Sequence, residues 1–299
     1  MKHITKIGIL VCLLVTTSIH AQTFEWAKSF AGNSTEDSYS ISIDSSGNVY
    51  TTGYFYGTVD FDPGVGVSNL ISAGNQDIFV QKLDPSGNFL WAKSFGGTDT
   101  DIGRYITVDD SGNVYTTGFF EGTVDSDPGV GVSNLTSAGN QDIFVQKLDP
   151  SGNFLWAKSF GGTFEDIGNS ITVDASGNVY TTGYYRNTVD FDPGSGVSNL
   201  TSTGIYDIFV QKLDASGNFL WAKSFGGTDT DIGNSISIDA SGNVYTTGYF
   251  GGTVDFDPGA GVSNLTSAGG RDIFVQKMDP LGNFLWAKSF GGTFEDIGN

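Results

Sequence analysis

The sequence predicts an all-β protein, a β-propeller assembled from four-stranded antiparallel blades, and three observations support this prediction. First, the five tryptophans recur at a constant spacing, at Trp26, Trp91, Trp156, Trp221 and Trp286. Second, each repeated unit contains four short segments rich in β-branched and aromatic residues, which are typical of strands. Third, Gly-containing turn sequences separate these segments, and no segment beyond the N-terminus shows a helical period. Repeated four-stranded sheets stacked side by side are the architecture of propellers.

Four gapless units of 65 residues cover most of the chain, and the third and fourth differ at only 14 of these positions. The units are 27–91, 92–156, 157–221 and 222–286. A period of this length indicates supersecondary units that bury their apolar faces against their neighbours. Within a repeat domain spanning 22–299, we expect blades at approximately 38–97, 103–162, 168–227 and 233–292.

Four strands are predicted in order within the first unit. The first, 40–44, alternates polar and apolar residues, and the second, Val49–Phe55, is rich in β-branched and aromatic residues. After a long loop, the third strand is expected at Asp77–Leu83 and the fourth at Phe89–Phe95. Asp-x-Ser-Gly-Asn turns join the first strand to the second and the third to the fourth. Their Gly supplies the positive φ that a tight hairpin requires.

The two ends of the repeat array do not match a closed ring. Residues 24–30 read as an orphan outer strand without the three strands that would precede it, whereas 284–290 already complete the last blade. A propeller commonly closes by lending an N-terminal strand to an incomplete last blade, which removes sheet edges. We therefore expect an open arc or a fragment of a larger propeller whose later blades are absent. The alternative is a four-bladed ring with one redundant strand.

Residues 1–21 have the organisation of a secretory signal peptide. Two lysines accompany an apolar stretch over 7–19, and a cleavage site follows at Ala21. This stretch is about 13 residues long, short of the roughly 20 that a membrane-spanning helix needs. We therefore expect an exported protein, secreted or at the cell surface, with no membrane span in the mature chain.

The composition excludes several classes of function. The single Cys and both His lie in the first 20 residues, so the mature chain would contain neither. Their absence excludes Cys or His nucleophiles, zinc held by Cys or His, disulfides and haem ligation by His. The 33 acidic residues outnumber the 14 basic ones, for a formal charge of −19. A surface of this charge repels nucleic acid, so we expect no nucleic-acid partner.

The repeated motif carries a family resemblance. Ile-x-x-Asp-x-Ser-Gly-Asn-Val-Tyr-x-Thr-Gly, then Asp-Ile-Phe-Val-x-Lys-Leu-Asp-x-Ser-Gly, then Phe-Gly-Gly-Thr resemble the bacterial SBBP β-propeller repeat over nearly all of 23–299. The segment from Leu83 to Trp91 is also similar, with one residue fewer, to the Asp-x-x-Thr-Gly-x-x-x-Trp motif of quinoprotein-type propeller blades. The SBBP resemblance implies seven-bladed propellers in exported or surface proteins, and it transfers no catalytic residue.

Function is expected on one of the two faces of the propeller. The first–second and third–fourth turns form a nearly uniform face, because all eight share one sequence pattern. The second–third connections and the connectors between blades form the other face, where the units differ. We expect a partner to bind there. The candidate residues are Tyr56, Glu121, Arg186, Gln76, Gln141, Tyr206 and Arg271, with Asp99, Phe164 and Asp229 in the connectors.

An acidic loop, Asp-x-Asp-Pro-Gly, recurs once in every unit. Its two carboxylates lie on the same side of an extended chain, and with the carbonyls of a Gly loop they are suitable ligands for Ca²⁺. The loop lacks the further ligands of a full calcium loop. The alternatives are a turn in which Asp caps backbone amides, or a glycosidase acid pair, which its presence in four copies disfavours. The candidate calcium ligands are Asp60, Asp62, Asp125, Asp127, Asp190, Asp192, Asp255 and Asp257.

The sequence as a whole favours an exported, non-catalytic module that binds or scaffolds an extracellular protein or glycan. The alternative is a propeller hydrolase or lyase acting on extracellular polysaccharide, with its active site outside this fragment. Such an enzyme would need a unique, non-repeated polar constellation, and we expect none here. The Trp series shares its side of the strand with Phe89 and Phe95. We therefore expect it to pack between blades, and we expect open blade flanks to promote self-association.

Overall fold

The computed structural model describes residues 24–32 and 34–298, and every regular element in them is a β-strand. The predicted signal peptide, residues 1–21, lies outside the described residues. Four antiparallel four-stranded sheets follow one another along the chain, which confirms the predicted propeller blades. In this part of the chain, no helix is long and apolar enough to cross a membrane.

The first blade pairs its strands in chain order, so that sequence neighbours are also neighbours in space. Its region contains β1 (Ala31–Gly32), β2 (Glu36–Ile43), β3 (Val49–Phe55), β4 (Thr58–Asp60), β5 (Asn69–Ile71), β6 (Asp77–Leu83) and β7 (Phe89–Phe95). The blade is formed by β2, β3, β6 and β7, while β1, β4 and β5 form a small sheet beside it. The expected second, third and fourth strands are confirmed, and the first begins at Glu36 instead of 40.

The next three blades repeat this arrangement. The second contains β8 (Ile102–Val108), β9 (Val114–Asp125), β10 (Asn134–Leu148) and β11 (Phe154–Phe160). The third contains β12 (Ile167–Val173), β13 (Val179–Tyr185), β14 (Thr188–Asp190), β15 (Asn199–Thr201), β16 (Asp207–Leu213) and β17 (Phe219–Phe225). The fourth contains β18 (Ile232–Ile238), β19 (Val244–Phe250), β20 (Thr253–Asp255), β21 (Asn264–Thr266), β22 (Asp272–Met278) and β23 (Phe284–Phe290).

The connection between the second and third strands is a β-ribbon, and the prediction of a long loop there was wrong. β4 pairs with β5 antiparallel in the first blade, and in the second blade the ribbon is continuous with β9 and β10. Each ribbon buries one valine, such as Val124. The ribbons of the second, third and fourth blades also pair threonines, with the hydroxyls of Thr123 and Thr136 3.0 Å apart. Strands this short show too little alternation in sequence to be recognised.

The hairpin turns owe their shape to one Asp and one Gly. In the first turn of the second blade, Asp109 Oδ1 accepts hydrogen bonds from the backbone N–H groups of Ser111 and Asn113, both at 2.9 Å. Gly112 has φ of 81°, in the left-handed region that favours glycine. The buried Tyr115 donates its hydroxyl to Asp109 Oδ2 at 3.0 Å, which ties the turn to the blade interior.

The core lies between neighbouring blades. Phe95 of the first blade meets Phe144 of the second edge to face, with ring centroids 5.3 Å apart, and Phe160 meets Phe191 at 5.5 Å across the next junction. Trp91 donates its indole N–H to the carbonyl of Pro150 in the following blade at 3.2 Å. This confirms that the Trp series packs between blades. The first strands β2, β8, β12 and β18 contact one another in succession and are therefore innermost.

The described blades form an open series and not a closed ring. Phe95, Phe160 and Phe225 are at most 5% exposed beneath the following blade, whereas the equivalent Phe290 of the fourth blade is 54% exposed. At the opposite flank, Ile41 on β2 is 65% exposed. The two flanks of the series are thus apolar surfaces without a blade against them.

Residues 24–30 do not form the orphan outer strand that the sequence predicts. They run beside the first blade without a ladder of their own, and only the following β1 pairs, with β4. Among the described residues no third strand lies alongside them, which explains this difference, because a strand needs a neighbour for its backbone groups. The side chains of residues 24–30 nevertheless make the contacts that the equivalent residues make in the other repeats. Trp26 donates to the Pro85 carbonyl at 3.0 Å, and Phe30 lies 5.1 Å from Phe61 between ring centroids.

Candidate binding face

The variable residues of the sequence come together at one face of each blade. This variable face is formed by the ends of the second strands, the starts of the third strands and the connectors between blades. In the second blade, Glu121 and Gln141 are direct cross-strand partners, and the Gln141 amide donates to Glu121 Oε1 at 2.9 Å. The uniform turns lie at the opposite ends of the same strands. The sequence-predicted face residues are therefore spatial neighbours within each blade.

The second blade carries an acidic cleft of about 380 Å³. Three carboxylates line it, from Asp99 and Glu165 in the two flanking connectors and from Glu121 at the strand end, with Gln141 completing the wall. The strand turns at Gly122, whose φ of 66° favours glycine, and a Cβ at that position would lie 2.6 Å from Asp99 Oδ2. A cleft with this lining suits a cationic group.

The first blade carries a neutral cleft of about 340 Å³ at the equivalent place. Tyr56 and Gln76 line it together with Thr35 and Thr100. Tyr56 is 45% exposed, so one face of a large amphipathic ring is available to a ligand. The chemistry of this cleft is hydrogen bonding and ring packing, without charge.

The fourth blade carries a cleft of about 330 Å³ with charges of both signs. Arg271 lies over the Tyr249 ring, with the guanidinium carbon 4.9 Å from the centroid, and Asp229 and Glu295 complete the lining. Gly251 replaces the Tyr, Glu or Arg that the other blades carry at this position. The cleft therefore offers a positioned cation beside two carboxylates.

The third blade fills the equivalent place with its own side chains. The Arg186 guanidinium carbon lies 4.6 Å from the centroid of the Phe164 ring. Tyr206 donates its hydroxyl to Glu165 at 2.7 Å and packs edge to face on Tyr184 at 4.9 Å. The four blades thus present four different surfaces on one repeated backbone.

Buried aspartates anchor this face, and the sequence analysis missed them. Asp101 is fully buried and accepts hydrogen bonds from the backbone N–H groups of Gly97 in the connector and Glu121 on the variable face, at 2.7 and 3.1 Å. Asp166 does the same for Arg186, at 2.9 Å. Burial raises the pKa of Asp101 and of Asp166 to about 7, although these donors lower it. The signal available was the recurrence of an acidic residue at this position, as Asp101, Asp166, Asp231 and Asp296 with Glu36 in the first unit.

A second set of buried carboxyls holds the loop before the third strand. Asp142 accepts a hydrogen bond from the Ala138 N–H at 2.9 Å through one oxygen, while its other oxygen is buried without a partner among the described residues. Burial raises the pKa of Asp142 to about 6. Asp77 has the same pattern and the same raised value. These groups are anchors below the surface, out of reach of a partner.

The Asp-x-Asp-Pro-Gly carboxylates bind backbone amides in their own loops. Asp60 Oδ1 accepts from the N–H groups of Asp62 and Ser68, and Asp62 Oδ1 accepts from Gly64 at 2.7 Å. None of the eight aspartates lines the three clefts. The residues that the structure describes contain no group of three or more acidic, His or Cys side chains suited to a metal. Calcium binding at these loops stays a prediction.

The inner strands also vary among the units, and this variation is not apparent from the loops. One variable position of the innermost strands is occupied by Tyr39, Arg104, Asn169 and Asn234. Comparing the units residue by residue along the strands would have found this position.

Comparison with known proteins agrees with the strand topology. The family model of the beta-propeller repeat SBBP matches residues 25–54, 155–184 and 220–249. An uncharacterised WD repeat-containing protein of Acanthamoeba polyphaga mimivirus is 29% identical over 236 residues, which cover 70% of this chain and 17% of that protein. The regulatory protein FlaEY of Caulobacter vibrioides is 26% identical over 208 residues, 66% of this chain and 22% of that protein.

The chain therefore spans about a fifth of the length of these curated relatives. Among solved structures, the Pan2 WD40 domain of Neurospora crassa covers 70% of this chain and 74% of its own, at 11% identity and a TM-score of 0.25. That likeness is too weak to bear on the fold. The three repeat matches and the four sheets described above show that the chain is built of β-propeller repeats, and the matched segments resemble the SBBP repeat.

Proposed function

We propose that this chain is an exported, non-catalytic module that binds an extracellular partner protein through its variable face. One observation carries the proposal: side chains vary where the clefts lie, while the backbone that holds them is repeated. Exposed residues that differ on a constant scaffold are typical of a recognition surface, because loops held by a rigid framework carry binding function. The signal-like sequence of residues 1–21 supports export.

The clefts favour a polar, extended protein surface over a small molecule. Each is open and holds roughly one large side chain, and their linings are acidic, neutral and mixed in the second, first and fourth blades. A partner that contacts several blades at once would gain from several weak sites together. A basic side chain is expected in the acidic cleft of the second blade, where three carboxylates meet.

Cross-linking in the exporting cell tests this proposal. A photoreactive residue placed at Gln76 or Gln141 should capture one defined protein, and a residue placed at Ser86, on the uniform face, serves as the control. Glu121→Lys should then reduce capture from position 141 about tenfold or more, because it reverses a charge at the contact. Equal capture of that protein from both faces, or capture unchanged by Glu121→Lys and by Tyr56→Ala, would contradict a role for this face.

A further inference from the structure

The variable position of the inner strands is a β-bulge in every blade. The register of β2 on β3 shifts between Ser38 and Ser40, and the shift recurs at the same repeat position in the other three blades. The residue left out of the ladder is Tyr39, Arg104, Asn169 or Asn234. A bulge releases a residue from strand pairing and redirects its side chain, and bulges are frequent next to functional sites.

These four side chains meet in one cleft between the innermost strands of all four blades. The inner-strand cleft has a volume of about 230 Å³ and is lined by Tyr39, Arg104, Tyr105, Asn169 and Asn234. Tyr105 has no counterpart either, since its equivalents in the other units are serines. The expectation that the sequence holds no unique polar constellation was therefore wrong. This polar constellation is hard to recognise in the repeated sequence, because its members are single residues that come from four different units.

Asparagine at the bulge has a structural task in the last two blades. Asn169 donates its side-chain amide to the carbonyl of Gly233 at 2.9 Å, and Asn234 donates to that of Gly298 at 2.6 Å. Each bond ties one inner strand to the segment that follows it in the series. Arg104 cannot repeat that short amide contact and instead donates from Nη1 to Asn169 Oδ1, at 3.4 Å. In the second blade, the bulge thus carries a cation held by the asparagine of the third.

The Arg104 guanidinium is positioned but not neutralised. Its carbon lies 5.6 Å from the centroid of the Phe119 ring, which supports its flat face. Among the described residues, no carboxylate lies within salt-bridge distance of it, and its buried Nε has no hydrogen-bond partner. This is notable in a chain with more than twice as many acidic as basic residues. Because that Nε is out of contact with solvent, a ligand in the cleft would meet the Nη groups of Arg104.

From this arrangement we infer that the inner-strand cleft binds a sugar acid, through the carboxylate of a single uronic acid residue. The two Nη groups of an arginine form a planar pair of donors that matches the two oxygens of a carboxylate. Tyr39, 54% exposed, offers an aromatic face on which a sugar ring can pack. The lining contains rings, amides and a cation but no aliphatic side chain, which favours a hydroxylated ring over a peptide side chain.

Calorimetric titration of the purified chain with glucuronate and galacturonate tests the inference, with glucose and galactose as neutral controls. At least one uronate should bind, and the matching neutral sugar should bind at least about tenfold more weakly, because the charge-assisted hydrogen bonds are missing. N-acetylglutamate serves as the peptide-like arm. Binding of N-acetylglutamate without uronate, or equal binding of neutral and acidic sugars, would overturn the inference.

Arg104→Asn is the informative variant, since asparagine is the natural residue at the same position of the third and fourth blades. It should keep the melting temperature close to that of the wild type and abolish uronate binding. Arg104→Lys, which keeps the charge but not the planar pair of donors, should bind with intermediate affinity. The matched control is Arg186→Asn on the variable face, which should leave uronate affinity unchanged. Unchanged uronate binding in Arg104→Asn would refute the site without touching the proposed protein-binding function.

Discussion

Each hairpin turn depends on one aspartate, and the chain provides an internal comparison of its value. Asp109 accepts two backbone N–H groups, the Asn113 side-chain amide at 2.7 Å and the Tyr115 hydroxyl. Asp149, in the other turn of the same blade, accepts the corresponding backbone and Asn153 donors. No tyrosine hydroxyl is bonded to it in the described structure. The two residues differ by one buried hydrogen bond.

We expect Asp109→Ala to destabilise the fold more than Asp149→Ala. Both changes remove a turn cap, at a cost of about 1–3 kcal/mol, and the first also leaves the hydroxyl of a fully buried tyrosine without its acceptor. The difference should be about 1 kcal/mol in the free energy of unfolding, measured with urea. Adding Tyr115→Phe to Asp109→Ala should recover that difference. Equal losses in the two single variants would show that the tyrosine bond contributes nothing.

The calcium hypothesis can also be tested by changing individual residues. Because Asp60 Oδ1 and Asp62 Oδ1 accept the loop N–H groups, Asn at both positions keeps an acceptor oxygen while removing the charge. Millimolar Ca²⁺ should raise the melting temperature more than Na⁺ of equal ionic strength, with Mg²⁺ doing less. Changing all eight aspartates to Asn should abolish the Ca²⁺ effect with the β fold intact. If Ca²⁺ and Na⁺ of equal ionic strength raise the melting temperature of the wild type equally, the loops do not bind Ca²⁺ and are turns only.

At the scale of the element, the exposure of one repeated phenylalanine distinguishes the interior blades from the terminal blade. Phe225 is 3% exposed between the third and fourth blades and packs on Phe256 and Phe274, at 5.5 and 6.0 Å. Phe290 occupies the same place on β23 and is 54% exposed. Phe225→Ala should cost about 3–5 kcal/mol of unfolding free energy, whereas Phe290→Ala should cost much less, because no cavity forms at an exposed site. Chemical denaturation of the two variants would measure both, and similar losses would mean that the fourth blade is covered in solution.

The exposed flank also predicts association between molecules. Trp286 and Phe290 on the fourth blade, with Ile41 on the first, present apolar surface of the kind that interior blades bury. We expect purified 22–299 to self-associate or to bind an apolar dye in sedimentation and fluorescence measurements. Phe290→Ser should weaken both signals, whereas a serine at the exposed Val65, on a ribbon loop, should not. A compact, dye-negative monomer of the wild type would instead favour a closed arrangement.

The strands themselves were largely predictable from sequence, since alternation and Gly turns determine β3, β6 and β7 to the residue. The ribbons were not, because three-residue strands have no measurable period. The sequence could predict the face on which the clefts lie but not their volumes. The volumes depend on which side chains fold inward, as Tyr206 does. The variable position of the inner strands could be found by comparing the units, but the cleft that it lines could not be foreseen. The cleft depends on bulges, and the change of parity that a bulge causes cannot be recognised in strands of only seven or eight residues.

At the scale of the whole molecule, two populations of aspartate respond to pH in opposite directions. Turn aspartates such as Asp109 have a pKa lowered from 3.8, because hydrogen bonds from Asn113, Tyr115 and Ser111 outweigh the desolvation of burial. They stabilise the fold above that ordinary value and lose their contribution as pH falls below it. The buried anchors behave in the opposite way. Burial raises the pKa of Asp77, Asp142 and Asp231 to about 6, and that of Asp101 and Asp166 to about 7.

A group whose folded pKa lies above its unfolded value binds more protons when folded, so stability falls as pH rises through the interval between the two. For the anchors, that interval runs from 3.8 to about 7. The anchors and the general negative charge of the chain act in the same direction, because protonation also relieves repulsion among carboxylates. Stability should therefore be greatest near about pH 4, be lower at about pH 8, and decline again below about pH 3.5 as the turns lose their charge.

Urea denaturation across this range measures the profile, and Asp142→Asn separates the anchors from general charge. Asparagine keeps the acceptor for the Ala138 N–H and places an amide nitrogen where the unpartnered oxygen lies. The variant should gain stability at about pH 8, where the wild type must bury a carboxylate, and its loss of stability between about pH 5 and 8 should be smaller. Asp110→Asn, at an exposed turn position, removes the same formal charge and should leave the slope unchanged. If both variants flatten the profile equally, net charge alone governs the pH response and the buried anchors ionise as freely as surface groups.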